Sequence, residues 1–156
     1  MIGVITATVA LLVLAVLAIR HRVLVVSVVG RSMSPTLSAG DRVLVRRTPV
    51  GRVRRDDVVL IRRTGPCRPG DPAGTLEGAL LVKRVAAVAG DLEPAWLPAW
   101  CRSGGGVAPG TIVVLGDNLE VSQDSRHFGA VPGDQVLGVV LRRLGGDALP
   151  PGRASS

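Results

Sequence analysis

The chain contains little lysine, few aromatic residues, and only two residues each of cysteine and histidine. Its 156 residues include a single lysine, Lys83, among 19 basic residues, and they include no tyrosine, one phenylalanine and two tryptophans. So few aromatic side chains cannot build a base-stacking surface, which argues against a nucleic-acid partner despite the net charge of +7. The basic surface therefore favours anionic lipid headgroups, with a merely solvated arginine surface as the alternative.

The cysteines and histidines do not suggest a metal site. Cys67 and Cys101 lie far apart in loop-like sequence, and neither His21 nor His127 is close to them. Because protein zinc sites use ligands at short, defined spacings, we predict no metal, and nothing else in the chain indicates a cofactor. The two thiols would form a disulfide in an oxidising compartment or remain unpaired, and both alternatives stay open.

One long apolar run stands near the start of the chain. Ile2 to Ile19 carries no charge, and its only polar side chains are Thr6 and Thr8. Eighteen helical residues extend about 27 Å, which is enough to cross the hydrocarbon core of a bilayer. Neither a basic start nor a small-residue cleavage site accompanies the run. Residues 1–20 are therefore predicted to be an uncleaved transmembrane anchor, with a buried core helix as the alternative.

Short β-type segments separated by glycine- and proline-rich loops make up the rest of the chain. There is no internal repeat and no long amphipathic pattern. This predicts a mostly β fold: a compact antiparallel domain over residues 23–144, followed by a disordered tail over residues 145–156. The predicted strands are Val23–Val29, Arg42–Arg47, Val58–Arg62, Ala79–Val88, Thr111–Leu115 and Gln135–Arg143, and the main predicted loops are Thr64–Thr75 and Ala89–Gly110.

The first predicted strand leads into a serine-containing stretch, Gly30-Arg31-Ser32-Met33-Ser34-Pro35-Thr36-Leu37. We expect Gly30 to allow close approach of another backbone and Pro35 to set the chain direction just beyond the serine. The apolar run then stops at Ser32 and Met33, with a hydroxyl at the end of an extended element. A serine nucleophile needs a base and an oxyanion site, so the base must come from elsewhere.

The candidate bases are His127 and Lys83. His127 directly follows Asp124-Ser125-Arg126, and neighbouring residues on a strand point to opposite faces, so this cluster does not form a triad by itself. Arginine cannot act as a base because its guanidinium stays protonated. A lysine amine can, if apolar surroundings lower its pKa. Lys83 lies in the most apolar β segment of the domain, which makes it the better candidate.

The third stretch that carries candidate site residues, residues 116–129, is polar and follows a Val-Val-Leu segment. It places Ser122, Asp124 and Arg126 close together in sequence, with glycines at both ends. A hydroxyl there would hold the lysine amine in line, and an Asp–Arg pair would brace the loop.

These motifs, taken in order, resemble the type I signal peptidase family of Ser/Lys membrane serine proteases. The resemblance extends from about Val28 to Gly129 and follows a membrane anchor, as in that family. Each motif is weak alone, but the ordered set is specific. The motifs are Ser32-Met33-x-Pro35-Thr36-Leu37, Gly40-Asp41, Val82-Lys83-Arg84, Gly90-Asp91, Gly116-Asp117-Asn118 and Ser122-x-Asp124-Ser125-Arg126-x-x-Gly129.

The resemblance implies a role for each matching residue. Ser32 would be the nucleophile, its backbone N–H would form part of the oxyanion hole, and Lys83 would be the general base. Ser122 would orient the Lys83 amine, and Asp124 and Arg126 would form a structural ion pair nearby. The fold would be the all-β catalytic domain that signal peptidases share with self-cleaving repressors.

The resemblance also implies a substrate and a location. Substrates would be exported preproteins, cut after small residues in an Ala-x-Ala pattern. We also predict a shallow apolar groove lined by the strands around Val28 and Val82, which would suit small side chains at the cleavage site. The protein would be a single-pass membrane protein with an extracytoplasmic catalytic domain. Arg20 and Arg22 after the apolar run argue for the opposite orientation, because positive residues favour the cytoplasmic side. The oligomeric state is not predicted.

Two departures from the family pattern keep other functions open. A hydroxyl residue often stands two positions before the nucleophile, but Gly30 occupies that place, so a second oxyanion donor is unassigned. The segment between Lys83 and Gly116 is also short. A maturation protease dedicated to one client protein and a catalytically inactive, membrane-tethered binding domain are therefore alternatives. A self-cleaving repressor is disfavoured, because no helix-turn-helix region precedes the serine.

Trp96 and Trp100 lie in a loop with apolar neighbours. We expect them either to contact the bilayer interface or to pack on the domain.

Overall fold

A computed structural model describes residues 8–9, 11–14, 21–64, 78–145 and 149. Residues 8–9 and 11–14 are helical, but most of the predicted anchor, most of the predicted tail, and Cys67 lie outside the described residues. In the parts of the chain that the structure describes, no helix is both long and apolar enough to cross a membrane. The anchor and the tail therefore stay predictions.

From residue 23 onward, the described chain forms seven strands, one short α-helix and three single-turn 3-10 helices. All strand pairs are antiparallel, in the spatial order β1-β2-β7-β3-β4-β5-β6, which confirms the predicted mostly β, antiparallel fold. The elements are β1 (Val23–Ser27), β2 (Arg42–Arg46), β3 (Val58–Arg62), β4 (Leu80–Val88), β5 (Thr111–Leu115), α1 (Ser125–Phe128), β6 (Val131–Pro132) and β7 (Val136–Arg143).

Strand β3 has core on both of its faces. Val59 and Ile61 belong to one buried cluster, which the segment around Val53 and the α1 residue Phe128 help to cover. Val58 and Leu60, which alternate with them, belong to a second cluster. A strand buried on both faces reads as a continuous apolar run, which is why Val-Val-Leu-Ile marked this segment so clearly in the sequence.

The second cluster fixes the turn that carries Ser32. Met33 and Leu37 lie within this turn and are 1% and 0% exposed, and they pack with Val28, Val43 and Leu60. Burial of two large side chains on either side of Pro35 holds the turn against the sheet. Ser32 therefore sits on an immobilised segment rather than at the tip of a free loop.

The long loop between β4 and β5 folds back onto the sheet. Its residues Leu97 and Val107 are buried with Ala87 of β4, and Trp96 packs against this third cluster. Trp96 thus follows the packing alternative, whereas Trp100 is 41% exposed. Contact of Trp100 with a bilayer stays a prediction.

Candidate active site

The Ser32 turn begins at Gly30, three residues after β1 ends. Gly30 has a φ of +92°, a conformation that side chains other than glycine rarely adopt. The expected close approach of another backbone is wrong, because a methyl group placed on Gly30 would have no atom within 4 Å. Glycine is needed here for its backbone angle. Ser32 itself is partly buried, and the backbone hydrogen bond from Leu37 N to Met33 O, 2.8 Å long, closes the turn behind it.

Lys83 lies in the middle of β4, opposite Val59 of β3, and is 2% exposed. Its Nζ donates a hydrogen bond of 3.0 Å to Ser122 Oγ. Burial lowers the pKa of the Lys83 amine from 10.5 to about 8, with Arg126 acting in the same direction while Asp124 and Asp117 oppose it. About a tenth of the molecules would then hold a neutral amine at pH 7.

Ser122 and Asp124 lie in the loop between β5 and α1, and both are buried. Asp124 caps α1, accepting a hydrogen bond from Arg126 N at 3.2 Å. It also accepts bonds from Arg126 Nε at 2.8 Å and from Gly116 N at 3.1 Å. Burial alone would raise the pKa of the Asp124 carboxyl, but hydrogen bonds from Arg126, Gly116 and Ser122 outweigh it and lower the pKa. The predicted Asp–Arg pair is therefore present, and it braces the loop that presents Ser122.

The Ser32 turn and the Ser122 loop meet at Gly116, the first residue after β5. A methyl group on Gly116 would lie 2.2 Å from Ser122 Oγ and 2.5 Å from the carbonyl oxygen of Ser32. Asn118 N donates a hydrogen bond of 3.0 Å to that same carbonyl oxygen. The Ser32 backbone, the Ser122 hydroxyl and, through Ser122, the Lys83 amine are thus neighbours although they are far apart in sequence.

The Ser32 hydroxyl makes no hydrogen bond with any of the described residues, Lys83 included. The backbone carbonyl of Ser32 accepts a hydrogen bond from Asn118 in the Ser122 loop, but the Ser32 hydroxyl remains available to a substrate. In unliganded enzymes catalytic hydrogen bonds are often long and tighten only when substrate binds. The arrangement can support serine chemistry if bound substrate brings the hydroxyl into line with the amine.

A second ion pair, between Arg84 and Asp117, was given no role in the sequence analysis. Arg84 Nε and Nη2 donate to the two Asp117 carboxylate oxygens at 2.8 and 2.7 Å, and Thr36 Oγ1 donates to the same carboxylate. Hydrogen bonds from Arg84 and Thr36 overcome the effect of burial and lower the pKa of Asp117. This pair joins β4, the loop after β5 and the Ser32 turn. The signal in the sequence was a second charged residue next to Lys83 in an apolar strand.

The remaining candidates do not join this site. The His127 ring is 52% exposed and its Nδ1 accepts a hydrogen bond from Asp124 N at 3.4 Å, so it caps α1 rather than facing Ser32. Cys101 has a free thiol that donates to Pro98 O at 3.1 Å. Among the described residues, no group of three or more His, Cys, Asp or Glu side chains could hold a metal ion.

The pH dependence of catalysis follows from the lowered pKa of Lys83. If the neutral amine is the active form, kcat/KM should rise about tenfold per pH unit below the pKa of about 8 and level off above it. The measurement is kcat/KM for a peptide substrate from pH 5.5 to 10. A rate that keeps rising to pH 10 would mean that the pKa has not been lowered, and a plateau already at pH 6.5 would point to a histidine.

Fold and site together describe a mostly antiparallel β protein in which a buried lysine amine is hydrogen-bonded to a serine hydroxyl that lies beside a serine-bearing turn. The family described as "Signal peptidase, peptidase S26" matches residues 1–92 and 95–144. The match extends over more than half of the chain. The protein therefore belongs to the type I signal peptidase family, which confirms the resemblance drawn from the motifs.

Individual relatives agree with this assignment. The chain is 34% identical over 125 residues to the mitochondrial ATP-independent inner membrane protease subunit 1a of Arabidopsis thaliana, a match covering 74% of this chain and 66% of the relative. It is 32% identical over 137 residues to signal peptidase I of Bacillus caldolyticus, covering 71% and 73%. It is 29% identical over 143 residues to signal peptidase IB of Staphylococcus aureus, covering 74% of each chain.

Proposed function

We propose that the protein is a membrane-bound serine endopeptidase that removes N-terminal signal peptides from exported preproteins, cutting after small residues. The observation that carries the proposal is the buried Lys83 amine, hydrogen-bonded at 3.0 Å to a serine hydroxyl that adjoins the Ser32 turn. Membership of the signal peptidase family supports the same activity. In this proposal Ser32 is the nucleophile and Lys83 is the general base.

The proposed reaction is acyl transfer through Ser32. Neutral Lys83 takes the Ser32 proton as Oγ attacks the scissile carbonyl, and the Ser32 N–H helps hold the oxyanion. Lys83 then gives the proton to the departing amine as the C–N bond breaks. Water, deprotonated by Lys83, hydrolyses the acyl-enzyme and regenerates Ser32. General-base assistance of this kind contributes about 10²–10⁴-fold to the rate.

Ser122, Asp124 and Arg126 are assigned positioning roles. The Ser122 hydroxyl accepts from Lys83 Nζ, so the lone pair of a neutral amine points away from Ser122, and we assign the Ser32 hydroxyl as its target. The Asp124–Arg126 pair holds Ser122 in place, since Arg126 Nη2 also donates to the Ser122 carbonyl at 3.3 Å. Gly30 shapes the turn, and Met33 and Pro35 anchor it.

A substrate groove beside the first half of β4 fits an extended peptide. β4 pairs with β5 only from Arg84 onward, whereas residues Leu80 to Arg84 pair with β3 on the other side. Within the described chain, the backbone before Lys83 therefore has a free edge facing the β5 side, which suits β-type pairing with a peptide. Val28 belongs to the second core cluster together with Met33, and the partly buried Val82 packs against that cluster. A shallow apolar floor of this kind favours small side chains at the cleavage site.

The proposed location is the cell membrane, with residues 1–20 as a single-pass anchor and the catalytic domain on the extracytoplasmic side. Exported preproteins expose their cleavage sites on that side, which favours this orientation. Arg20 and Arg22 argue only weakly for the opposite orientation, because their long side chains can reach lipid headgroups in either one. Lipid and preprotein are the proposed partners. The reaction needs no cofactor.

The test is cleavage of a preprotein by the full chain in detergent. We expect one cut, after an Ala-x-Ala sequence, and a loss of at least about 10³-fold in the Ser32→Ala variant. Ser34→Ala is the matched control, because it removes a hydroxyl from the same turn and should retain activity. Equal cleavage by Ser32→Ala would refute the assignment of the nucleophile. Cleavage of one preprotein among many would indicate a dedicated maturation protease, and no cleavage of any would indicate a binding domain.

A further inference from the structure

The end of β7 returns the chain to the neighbourhood of the Ser32 turn. Leu144, the residue after β7, donates a hydrogen bond of 2.7 Å from its backbone N to the carbonyl oxygen of Arg42, at the start of β2. Arg42 lies opposite Ser27, the last residue of β1, and the chain reaches Ser32 shortly after Ser27. Because neighbouring strands are about 4.8 Å apart, the chain beyond β7 begins about 10 Å from the strand that leads into the turn.

Leu149, which follows β7 and lies in the predicted tail, contacts the cluster that floors the proposed substrate groove. Its side chain is partly buried and packs against the second core cluster. Val28 and Met33 belong to that cluster, and Val82 packs against it as Leu149 does. Because Leu149 shares this cluster with the floor of the groove, the residues that follow Leu149 start beside the groove.

The sequence after Leu149 resembles the cleavage region of a signal peptide. Two prolines follow Leu149, and then comes Gly152-Arg153-Ala154-Ser155-Ser156. Prolines favour an extended backbone without internal hydrogen bonds, which is the form that can pair with a free strand edge. Alternate residues of an extended backbone face the same side, so Ala154 and Ser156 would present two small side chains together, with Ser155 on the opposite side. This is the small-x-small pattern of a signal-peptide cleavage site.

The segment is long enough to enter the groove. Seven residues after Leu149 extend at most about 25 Å. A domain of this size has a radius of gyration of about 14 Å, so a segment that starts beside the groove can lie along it.

We propose that residues 150–156 occupy the substrate groove of their own chain, with Ala154 and Ser156 on its apolar floor, and so compete with preproteins for the site. This inference rests on the proposed function, because it takes the groove and the preference for small residues from it. The covalent connection makes weak binding sufficient. A segment on a short linker has an effective concentration of about 1 mM, so a dissociation constant of about 1 mM fills the groove about half of the time.

The test compares full chains that differ only in this segment. The double variant Ala154→Phe, Ser156→Phe keeps the length of the segment but places two large rings over a floor suited to small side chains. We expect its KM for a preprotein peptide to be about twofold lower, with kcat unchanged, because an occupant that competes with substrate raises KM alone. Leu149→Ser removes the packing contact beside the groove and should lower KM in the same way. The matched control Ser155→Phe adds a ring on the opposite side and should keep the KM of the unmodified chain.

A second readout does not require cleavage. In a Ser32→Ala chain labelled with isotopic lysine, the side-chain NMR resonance of Lys83, the only lysine in the sequence, reports on the adjoining groove. We expect this resonance to shift when Ala154→Phe and Ser156→Phe are added. It should return toward its original position when a peptide of residues 149–156 is supplied at about 5 mM, well above a dissociation constant of about 1 mM. Ser155→Phe should leave the resonance unchanged.

Several results would overturn the inference. An unchanged KM in the double variant would mean that the segment does not compete with substrate, and an equal fall in KM in Ser155→Phe would mean that the small residues do not face the groove. A KM of the unmodified chain that falls on dilution would place the segment in the groove of a second copy. If no variant cleaves any preprotein, the proposed function fails, and the Lys83 resonance still decides: a shift in the double variant alone supports occupation of the groove, and no shift contradicts it.

Discussion

Replacing Lys83 with arginine is expected to abolish cleavage, lowering kcat/KM by about 10²–10⁴-fold. The exchange keeps a positive charge and a long side chain in β4. It removes the one group in the site that can lose a proton near neutral pH, because a guanidinium stays protonated. The measurement is kcat/KM on a preprotein peptide, together with thermal unfolding of the variant. The reverse exchange at an exposed position, Arg62→Lys, is the control and should be silent.

The guanidinium is larger than the amine it replaces in a buried position, so a second variant separates loss of the base from disturbance of the core. Lys83→Met has similar length and no charge, and it buries comfortably among apolar side chains. It should unfold at the same temperature as the unmodified chain or higher, because it removes a buried polar group, and it should be inactive. A folded Lys83→Met variant with full activity would remove the lysine amine from the mechanism.

Replacing Gly116 with alanine is expected to be nearly as damaging, although this residue performs no chemistry. The added methyl group would lie 2.2 Å from Ser122 Oγ and 2.5 Å from the Ser32 carbonyl oxygen, far inside van der Waals contact. Relief requires the Ser32 turn and the Ser122 loop to separate. A displacement of about 1 Å at a catalytic group costs about 10²-fold in rate. Overpacking of this kind also lowers the free energy of unfolding by about 1–3 kcal/mol.

The control for this variant is Gly105→Ala. Gly105 lies in the loop between β4 and β5, and a methyl group there would meet no atom within 4 Å. It should retain both activity and stability, as measured by kcat and by denaturant unfolding. A Gly116→Ala variant with unchanged kcat would show that the close packing of the two segments is not needed for catalysis.

Most of the fold could be predicted because each strand has a recognisable local sequence pattern. Val58–Arg62 and Thr111–Leu115 match the predicted bounds, since both are short valine-rich runs with polar or turn residues at their ends. The helix α1 was not predicted. Its four residues are too few for a helical period, and its N-cap, Asp124, was assigned to an ion pair only. β6 was missed because it has two residues, one of them proline.

The candidate site was harder to predict, since its parts meet only in three dimensions. The proximity of Ser122 to both Lys83 and the Ser32 turn depends on β4 and β5 being neighbours, which no local pattern encodes. The Arg84–Asp117 pair escaped notice for the same reason: its partners are 33 residues apart. Gly30 was singled out correctly but for the wrong reason, because sequence does not distinguish a positive φ from a close contact.

The most direct measurement is the ionisation of the only lysine in the chain. Because no other residue contributes an Nζ signal, a protein labelled with isotopic lysine gives a single side-chain amine resonance, which can be followed against pH by NMR. The proposed mechanism predicts a midpoint near the lowered pKa of about 8, coinciding with the rise in kcat/KM. A midpoint near the ordinary lysine value of 10.5, with cleavage already at its maximum at pH 8, would contradict it.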